Sequence, residues 1–306
     1  MRIVFSGTPE FSVEPLQKLI DNNYKVVAVY TQPDKGVGRG RKLQYSAVKK
    51  CAMAHNIPVF QPHNFKNDAD IQQLKQLQAD LMVVVAYGLI LPQTVLDIPR
   101  YGCWNIHASL LPRWRGAAPI NRALLAGDKT TGVGIMQMEA GLDTGAVFLQ
   151  HECQIADDET AEKLHDKLAI MGAFALIETL QLLQNDLLPQ AMIQDESLMT
   201  YAKKLHKSES RINWQEDAEL IARKIRAFNP WPGTIAQING EDYKIWQAKS
   251  LAKTSTLEAG TIIKADKQSL IIQCGTGQLH LLEIQKPGKK RLKISQFMPA
   301  KRDWFT

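Results

Sequence analysis

The sequence predicts an α/β protein with two domains, a parallel sheet covered by helices on both faces and then a small OB-like β-barrel. Three observations predict this fold class. Short Val/Ile-rich runs alternate with runs of helical spacing over the first half of the chain. A long amphipathic run follows, and short strand-like runs separated by turn residues fill the last third. With 306 residues, each domain is large enough to bury its own core.

The first domain is predicted to be Rossmann-like, because strands that alternate with helices pair in parallel and are covered on both faces. The predicted strands are short, apolar and bounded by turn residues: Arg2–Phe5, Lys25–Tyr30, Leu81–Ala86, Cys103–His107 and Val133–Met138. The predicted helices between them are Phe11–Asp21, Ser46–His55, Asp70–Gln78 and Ala117–Ala126. Ligands of such sheets bind beyond the carboxyl ends of the strands, where strand order reverses.

The second domain is predicted from its turns. A long helix at Thr160–Gln184 closes the first domain, Asn185–Ser210 is a polar connection, and a short helix at Asp217–Ala227 ends before the two prolines of Phe228–Gly233. Five strands follow: Thr234–Ile238, Asp242–Ala248, Gly260–Ala265, Ser269–Gln273 and Gly277–Ile284. This pattern favours an OB-like barrel, a fold suited to nucleic acid. We predict domains at 1–189 and 207–306, joined by a linker at 190–206.

Composition and charge narrow the functional class. Hydrophobic residues make up 45% and charged residues 22%, and no apolar run reaches the length of a membrane span. The chain starts with a strand-like run rather than a signal peptide, and its four cysteines form no CxxC pair, so we expect a cytoplasmic protein without disulfides or a metal. Residues 204–306 carry 18 Lys/Arg against 10 Asp/Glu. This balance fits either an anionic partner or a solvated basic surface.

Three polar residues mark a candidate catalytic site. Asn105 and His107 lie two residues apart at the end of a predicted strand, so both side chains project from one face. Asp143 follows another strand, between glycines that allow a ligand to approach the backbone. An amide, an imidazole and a carboxylate that converge on one carbon can transfer an acyl-type group without a metal. A structural histidine and a turn-forming aspartate remain the alternatives. Arg113, Trp114 and Arg115 form either a surface patch or a rim that meets the substrate.

A glycine-rich basic loop follows the second predicted strand. Its cations are Lys35, Arg39, Arg41 and Lys42, around Gly36–Gly40. The glycine spacing does not match a dinucleotide fingerprint, and Pro33–Lys35 separates the loop from the strand. A loop of this composition suits a phosphate backbone. A solvated flexible loop is the alternative.

With these residues in view, the chain resembles the methionyl-tRNA formyltransferase family over its whole length. The resemblance lies in a set of segments that occur in order: Phe5–Pro9, Thr31–Asp34 with Gly38–Gly40, Val83–Pro92, Ser109–Pro119, Met136–Gly145 and Arg226–Pro232. The Asn-x-His…Asp trio alone marks only the broader group of enzymes that use formyltetrahydrofolate. The basic loop and the Phe-Asn-Pro-Trp-Pro segment distinguish the enzyme that acts on tRNA.

The resemblance implies a reaction and roles for the residues. A formyl group would pass from 10-formyltetrahydrofolate, the expected co-substrate, to the α-amino group of methionyl initiator tRNA, with Asn105, His107 and Asp143 as the catalytic trio. The segment aligned with the folate-binding part of the family is Ser109, Leu110, Leu111 and Pro112. Tyr87, Gly88 and Ile90 are expected to line the pterin slot, largely through backbone groups. The basic loop aligns with the insertion that binds the tRNA acceptor end.

We expect the Asn105 amide to stabilise the oxyanion, His107 to act as donor or general acid, and Asp143 to take the proton of the attacking amine. We also expect a monomer. Two other functions fit part of the sequence. A formyltransferase acting on a small amine, such as a glycinamide ribonucleotide or an amino sugar, would share the trio but would not need the basic second domain. A non-catalytic RNA-binding module would not need the trio.

Overall fold

The computed structural model describes residues 1–37, 42–253 and 255–305. The chain divides into two compact units, one made of Met1–Pro119, Thr130–Gln154 and His165–Ala202, the other of Ile120–Lys129, Ile155–Leu164 and Lys203–Thr306. The predicted domain boundaries stay a prediction, but residues 190–202 of the predicted linker belong to the first compact unit. Within the described ranges, no helix is long and apolar enough to cross a membrane.

Among the described residues of the first unit, seven strands form one sheet in the order β10-β9-β7-β6-β1-β2-β5. Their bounds are β1 Arg2–Gly7, β2 Lys25–Tyr30, β5 Val59–Phe60, β6 Leu81–Val85, β7 Cys103–His107, β9 Thr130–Gln137 and β10 Val147–Gln154. All neighbouring strands from β5 to β7 pair in parallel, as predicted for β1, β2, β6 and β7, whereas strand β5 was not predicted. Strands β1 and β6 are buried on both faces along almost their whole length, which explains their continuous apolar runs.

Two helices of this region, α2 Ala47–Ala54 and α3 Asp68–Gln76, begin at residues whose side chains cap them. Ser46 accepts a hydrogen bond from the Lys49 N–H at 3.0 Å, and Asn67 accepts one from the Ala69 N–H at 3.0 Å. Because Asn67 caps it, helix α3 begins at Asp68, two residues before the predicted Asp70. The helices between residues 13 and 184 are α1 Val13–Asp21, α2 Ala47–Ala54, α3 Asp68–Gln76, α4 Gln93–Leu96, α5 Pro119–Ala126 and α6 Ala161–Gln184. Residues 120–126 of α5 and 161–164 of α6 belong to the second compact unit.

The edge of the sheet differs from the prediction. Strand β9 runs antiparallel to β7, and the antiparallel strand β10 was not predicted. Strand β9 also starts three residues before the predicted Val133. Gly132 weakens the local strand signal, but the fold requires it, because a β-carbon there would overlap the carbonyl oxygen of His151 on β10.

Helix α6 packs closely on the strand that carries Asn105 and His107. A β-carbon at Gly172 would lie 2.7 Å from Cγ2 of Ile106, so the glycine permits this approach. Ile106 is 4% exposed, and its neighbours in β7 point to the opposite face. The apolar contact with α6 therefore leaves Asn105 and His107 on the other face of the sheet.

Two short pairings lie beside the main sheet. Strands β3 Lys35–Val37 and β4 Lys42–Gln44 form an antiparallel hairpin, so the described ends of the predicted basic loop are paired strands. Strands β8 Arg115–Gly116 and β11 Tyr201–Ala202 pair in parallel. The second pairing brings residues 201–202 of the predicted polar connection against the chain that follows β7.

In the second unit, the described strands form an antiparallel sheet in the order β12-β13-β16-β15-β14, with β17 beside β16. Its elements are α7 Ala218–Ala227, β12 Thr234–Ile238, β13 Glu241–Leu251, β14 Ile262–Ala265, β15 Leu270–Gln273, β16 Gln278–Gln285, β17 Leu292–Lys293 and α8 Ile294–Phe297. The five strands predicted for the second domain are confirmed, and they pair antiparallel. The core contains Tyr243, Phe297 and Trp304, whose rings meet edge to face.

Candidate active site

Strand order reverses between β1 and β6, and the carboxyl ends of the parallel strands meet at this edge of the sheet. Thr8, just after β1, donates its hydroxyl to the carbonyl oxygen of Tyr87 at 2.9 Å. Ser12 donates to the carbonyl oxygen of Val85 at 2.6 Å. Asn105 and His107 lie on β7, which is the neighbour of β6. The candidate residues therefore lie at the edge where open α/β sheets bind ligands.

Asn105 and Asp143 face each other at this edge. Asn105 Nδ2 lies 3.4 Å from Asp143 Oδ1, and Asp143 Oδ2 accepts the Gly116 N–H at 2.8 Å. The Asp143 backbone has φ +53°, in the left-handed region that is uncommon for residues other than glycine. Its side chain is 14% exposed. The carboxylate is thus fixed through one oxygen while the other oxygen faces the amide.

His107 completes the group from a buried position. Its Nε2 atom lies 2.9 Å from the carbonyl oxygen of Trp114. Because a carbonyl oxygen only accepts, Nε2 carries a hydrogen atom, and Nδ1 faces Asp143 Oδ2 at 3.7 Å. This distance suits an ion pair and is too long for a direct hydrogen bond. The imidazole can therefore gain or lose a proton at Nδ1, next to the carboxylate.

The segment expected to bind folate forms the turn after β7. Ser109 is fully buried, and its hydroxyl donates to the carbonyl oxygen of Arg113 at 2.6 Å. The carbonyl oxygen of Leu111 accepts Gln150 Nε2 at 3.0 Å, and Leu111 is 7% exposed. Leu110 and Pro112 are half-buried. Ser109 and Leu111 therefore hold the turn, and Leu110 and Pro112 leave apolar surface open.

The segment after β6 divides its residues between the core and solvent. The Tyr87 side chain is 2% exposed, its hydroxyl has no hydrogen-bond partner within the described part of the chain, and burial raises its pKa. Gly88 is exposed with φ +81°, and Ile90 is 92% exposed. Ile90 and the Gly88 backbone are open to a ligand, whereas the Tyr87 ring belongs to the core.

The start of the β3–β4 hairpin is tied to this segment. Lys35 Nζ donates to Gln32 Oε1 at 3.0 Å, and Gln32 Nε2 donates to the carbonyl oxygen of Gly88 at 3.1 Å. Lys42 begins β4, opposite Val37. Arg39 and Arg41 lie outside the described residues.

A polar cluster fixes the base of the same hairpin. Asp34 accepts Lys49 Nζ at 2.5 Å and Gln61 Nε2 at 2.9 Å. Burial would raise the pKa of Asp34, but these hydrogen bonds outweigh burial and leave its pKa below the usual value. The ionised carboxylate therefore anchors the chain directly before Lys35.

Two residues near the trio were not predicted to support it. Arg115, expected at the surface or on a rim, is 4% exposed. Its guanidinium group binds both carboxylate oxygens of Glu196, at 3.1 and 2.7 Å, and its Nε donates to Gln194 Oε1 at 3.0 Å. The rim prediction is wrong for this residue, because its charge is paired inside the unit. Nothing in the surrounding sequence distinguishes Gln194 from other glutamines of a polar connection.

This arrangement can perform acyl-type transfer. Asn105 offers a neutral N–H donor, Asp143 a proton acceptor, and His107 Nδ1 a second atom that can exchange a proton. The Asp143 carboxylate lies 3.4 Å from the Asn105 amide nitrogen and 3.7 Å from His107 Nδ1. In the described ranges, no cluster of three or more His, Cys, Asp or Glu side chains could hold a metal ion. These three side chains can therefore stabilise an oxyanion and transfer protons.

Two family models and curated relatives match this chain. Residues 1–180 match the family model described as formyl transferase, and residues 204–302 match that of the formyl transferase C-terminal domain. Two curated relatives are named methionyl-tRNA formyltransferase. The protein of Hahella chejuensis is 53% identical over 97% of this chain and 93% of its own length. The protein of Methylococcus capsulatus is 52% identical over 98% of this chain and 97% of its own length.

The fold also occurs among solved structures. WlaRD, described as a sugar 3N-formyl transferase in the presence of dTDP and 5-N-formyl-THF, superposes with a TM-score of 0.69. It is 21% identical to this chain, and the match covers 95% of this chain and 99% of WlaRD. At this identity the likeness concerns the fold alone.

Proposed function

The chain belongs to the formyl transferase family, and we propose that it transfers a formyl group from 10-formyltetrahydrofolate to the α-amino group of methionyl initiator tRNA. The observation that carries the proposal is the convergence of Asn105, His107 and Asp143 in a chain that matches methionyl-tRNA formyltransferases over nearly its whole length. The product would serve translation initiation. A cytoplasmic location follows from the proposed tRNA substrate. The expected monomeric state stays a prediction.

The donor supplies a formyl group bound to a nitrogen atom, N10. In our proposal, the Asn105 N–H donates to the formyl oxygen as that oxygen gains negative charge. Asp143 accepts the proton of the attacking amine and passes it to His107 Nδ1, which lies 3.7 Å from Asp143 Oδ2 and delivers it to N10. One C–N bond forms, the bond to N10 breaks, and the proton moves from the amine to N10.

The residues around the strand ends fit a folate. A flat heterocycle needs apolar walls and backbone groups for its edge. Ile90 is 92% exposed beside the exposed backbone of Gly88, and Leu110 and Pro112 offer half-buried apolar surface after β7. We propose that these residues, with the turn held by Ser109 and Leu111, form the binding site of the co-substrate.

The proposed acceptor can be tested directly. We expect the purified protein, with 10-formyltetrahydrofolate and charged initiator tRNA, to produce formyl-methionyl-tRNA. A glycinamide ribonucleotide and an amino sugar, supplied at matched concentration, should accept formyl poorly, because neither carries a phosphate backbone for the basic hairpin to bind. Preferential formylation of either small amine would contradict the proposed substrate. Folate turnover with any acceptor would exclude a non-catalytic RNA-binding module.

The basic hairpin is proposed to contact the phosphates of the tRNA acceptor end through Lys35, Arg39, Arg41 and Lys42. An Arg39→Ala, Arg41→Ala double variant should raise the KM for tRNA and leave the KM for folate unchanged. Each lost phosphate contact should flatten the slope of log affinity against log salt by about 0.7 to 0.9. Steady-state kinetics across a salt series would measure this slope. A matched Lys66→Ala, Lys75→Ala variant at other exposed lysines controls for lost charge. Equal slopes in both variants would leave the hairpin as a solvated loop.

A further inference from the structure

A buried glutamine outside the trio binds the loop that carries Asp143. Gln194 is 7% exposed, and its Nε2 donates to the carbonyl oxygens of Asp143 at 2.9 Å and Gly145 at 2.7 Å. Its Oε1 accepts Arg115 Nε at 3.0 Å. Both amide hydrogens are therefore directed at the backbone on either side of Thr144.

The direction of this amide is set by its partners. Arginine has no acceptor, so the atom that faces Arg115 must be Oε1, and Nε2 must face the two carbonyl oxygens. Two bonds to Glu196 hold the guanidinium group, and the hydrogen bond from Arg115 lowers the pKa of Glu196. A chain of polar contacts thus runs from Glu196 through Arg115 and Gln194 to the backbone of Asp143.

The bound loop has a conformation that needs support. Asp143 has φ +53°, which an aspartate adopts only at a cost. At Gly145, a β-carbon would overlap the carbonyl oxygen of Gln137, so the chain passes very close to the end of β9. Without Gln194, the buried carbonyl oxygen of Gly145 would lose its donor, and the loop would move to recover one.

The same segment also supports His107. Thr200 Oγ1 accepts the Trp114 N–H at 2.9 Å, and the carbonyl oxygen of Trp114 binds His107 Nε2. Residues 194–200 therefore contact the backbone on both sides of the His107–Asp143 pair. Gln194 has the more direct effect, because it contacts the backbone of Asp143 itself.

We propose that Gln194 is a positioning residue that keeps the Asp143 carboxylate against the Gly116 N–H and facing Asn105, and that Arg115 fixes the direction of its amide. The proposal rests on the proposed formyl transfer. Gln194 contacts no reacting atom. Its effect comes through the placement of Asp143, and a displacement of about 1 Å at a reacting group costs on the order of 10²-fold in rate.

Two variants test the proposal. Gln194→Met has a similar length without a donor, and Gln194→Glu keeps an acceptor for Arg115 but puts oxygen against the two carbonyl oxygens. Both should lower kcat on the order of 10²-fold, with little change in the KM of either substrate. The pH profile of kcat should also shift, because Asp143 moves relative to His107. The glutamate variant retains the pairing with Arg115, so it keeps the test available if the methionine variant does not fold.

Gln273→Met is the matched control. Gln273 is 4% exposed in the second unit, and its Nε2 donates to the carbonyl oxygens of Cys274 at 2.7 Å and Gly277 at 3.2 Å. Its replacement should lower the thermal midpoint of unfolding while the folded protein keeps the parental kcat and pH profile. An equal loss of kcat in this control would show that any loss of buried amide contacts slows the enzyme, and would overturn the positioning role.

Hydrogen exchange provides a readout that does not depend on activity. The Gly116 N–H donates to the Asp143 carboxylate, so its exchange rate reports where that carboxylate lies. We expect faster Gly116 exchange in both Gln194 variants than in the parent or in Gln273→Met. Parental kcat or parental Gly116 exchange in the Gln194 variants would overturn the inference. A parent that does not formylate methionyl-tRNA would instead overturn the proposed function, and the exchange measurement would still decide the role of Gln194.

Discussion

Replacing Asn105 with alanine is expected to lower kcat about 10²- to 10³-fold, which is the usual cost of losing one oxyanion donor. The Asn105 side chain is half-buried at the strand end, and its amide nitrogen lies 3.4 Å from Asp143. That contact is long, so its loss should change the stability of the fold little. The substitution should lower kcat because the neutral amide stabilises the negative charge that develops on the formyl oxygen, and it does so without having to ionise.

The measurement is single-turnover formylation at saturating tRNA and folate, with the folded fraction checked by circular dichroism. Asn185→Ala is a control in the same unit. Asn185 follows the end of α6, is exposed, and donates to the carbonyl oxygen of Gln181 at 2.9 Å. This control should keep the parental rate. Near-parental turnover in Asn105→Ala would remove Asn105 from the proposed mechanism.

Local patterns were sufficient to predict where Asn105 and His107 lie. Apolar runs between turn residues indicated the strands, and the alternation with helices predicted their parallel pairing. Since the carboxyl ends of parallel strands meet at one edge, residues at the ends of separate strands could be expected to converge. The prediction for Asp143 had a weaker basis. Asp143 follows β9, which runs antiparallel to β7, so the rule on the ends of parallel strands does not apply to it.

What the sequence did not reveal depends on contacts between distant segments. Strand β10 contains Gln150, His151 and Glu152, which do not alternate as in a half-buried strand, and only its pairing with β9 identifies it. The environment of Arg115 depends on Glu196, which lies 81 residues away along the chain. No local spacing predicts such a pair.

The burial of Tyr87 shows the same limit within one short segment. Residues 86 to 90 follow an apolar strand, and periodicity cannot tell which of them turns inward. In the structure the Tyr87 ring joins Tyr30 and Phe65 in the core, while Ile90 faces solvent. The direction of each side chain depends on the left-handed backbone at Ala86 and Gly88, which have φ values of +45° and +81°.

Replacing Asp143 with asparagine is expected to lower kcat about 10²- to 10⁴-fold, the usual range for the loss of a general base. The asparagine oxygen can still accept the Gly116 N–H, which now lies 2.8 Å from the carboxylate, so the loop can keep its conformation. The variant loses the negative charge and the ability to take a proton. Hydrogen exchange of the Gly116 amide, measured beside kcat, shows whether the loop has moved. A lower kcat with unchanged Gly116 exchange is then due to the lost charge and proton acceptor rather than to a displaced loop. Asp21→Asn, at the exposed end of α1, is the control and should keep the parental rate.

The pH dependence of this variant distinguishes the base from the nucleophile. A model α-amino group has a pKa of about 7.7, and the neighbouring ester lowers the pKa of the methionyl amine. The rates of parent and variant should therefore both fall at acidic pH, where the amine becomes charged. At higher pH the amine is already neutral, but it must still lose a proton after it attacks the formyl carbon. The reduction in kcat caused by the loss of Asp143 as a base should therefore persist at higher pH. If Asp143→Asn kept the parental rate at every pH with Gly116 still protected, the carboxylate would only hold the loop. In that case, the base would have to be His107 Nδ1, the remaining proton acceptor of the trio, 3.7 Å away.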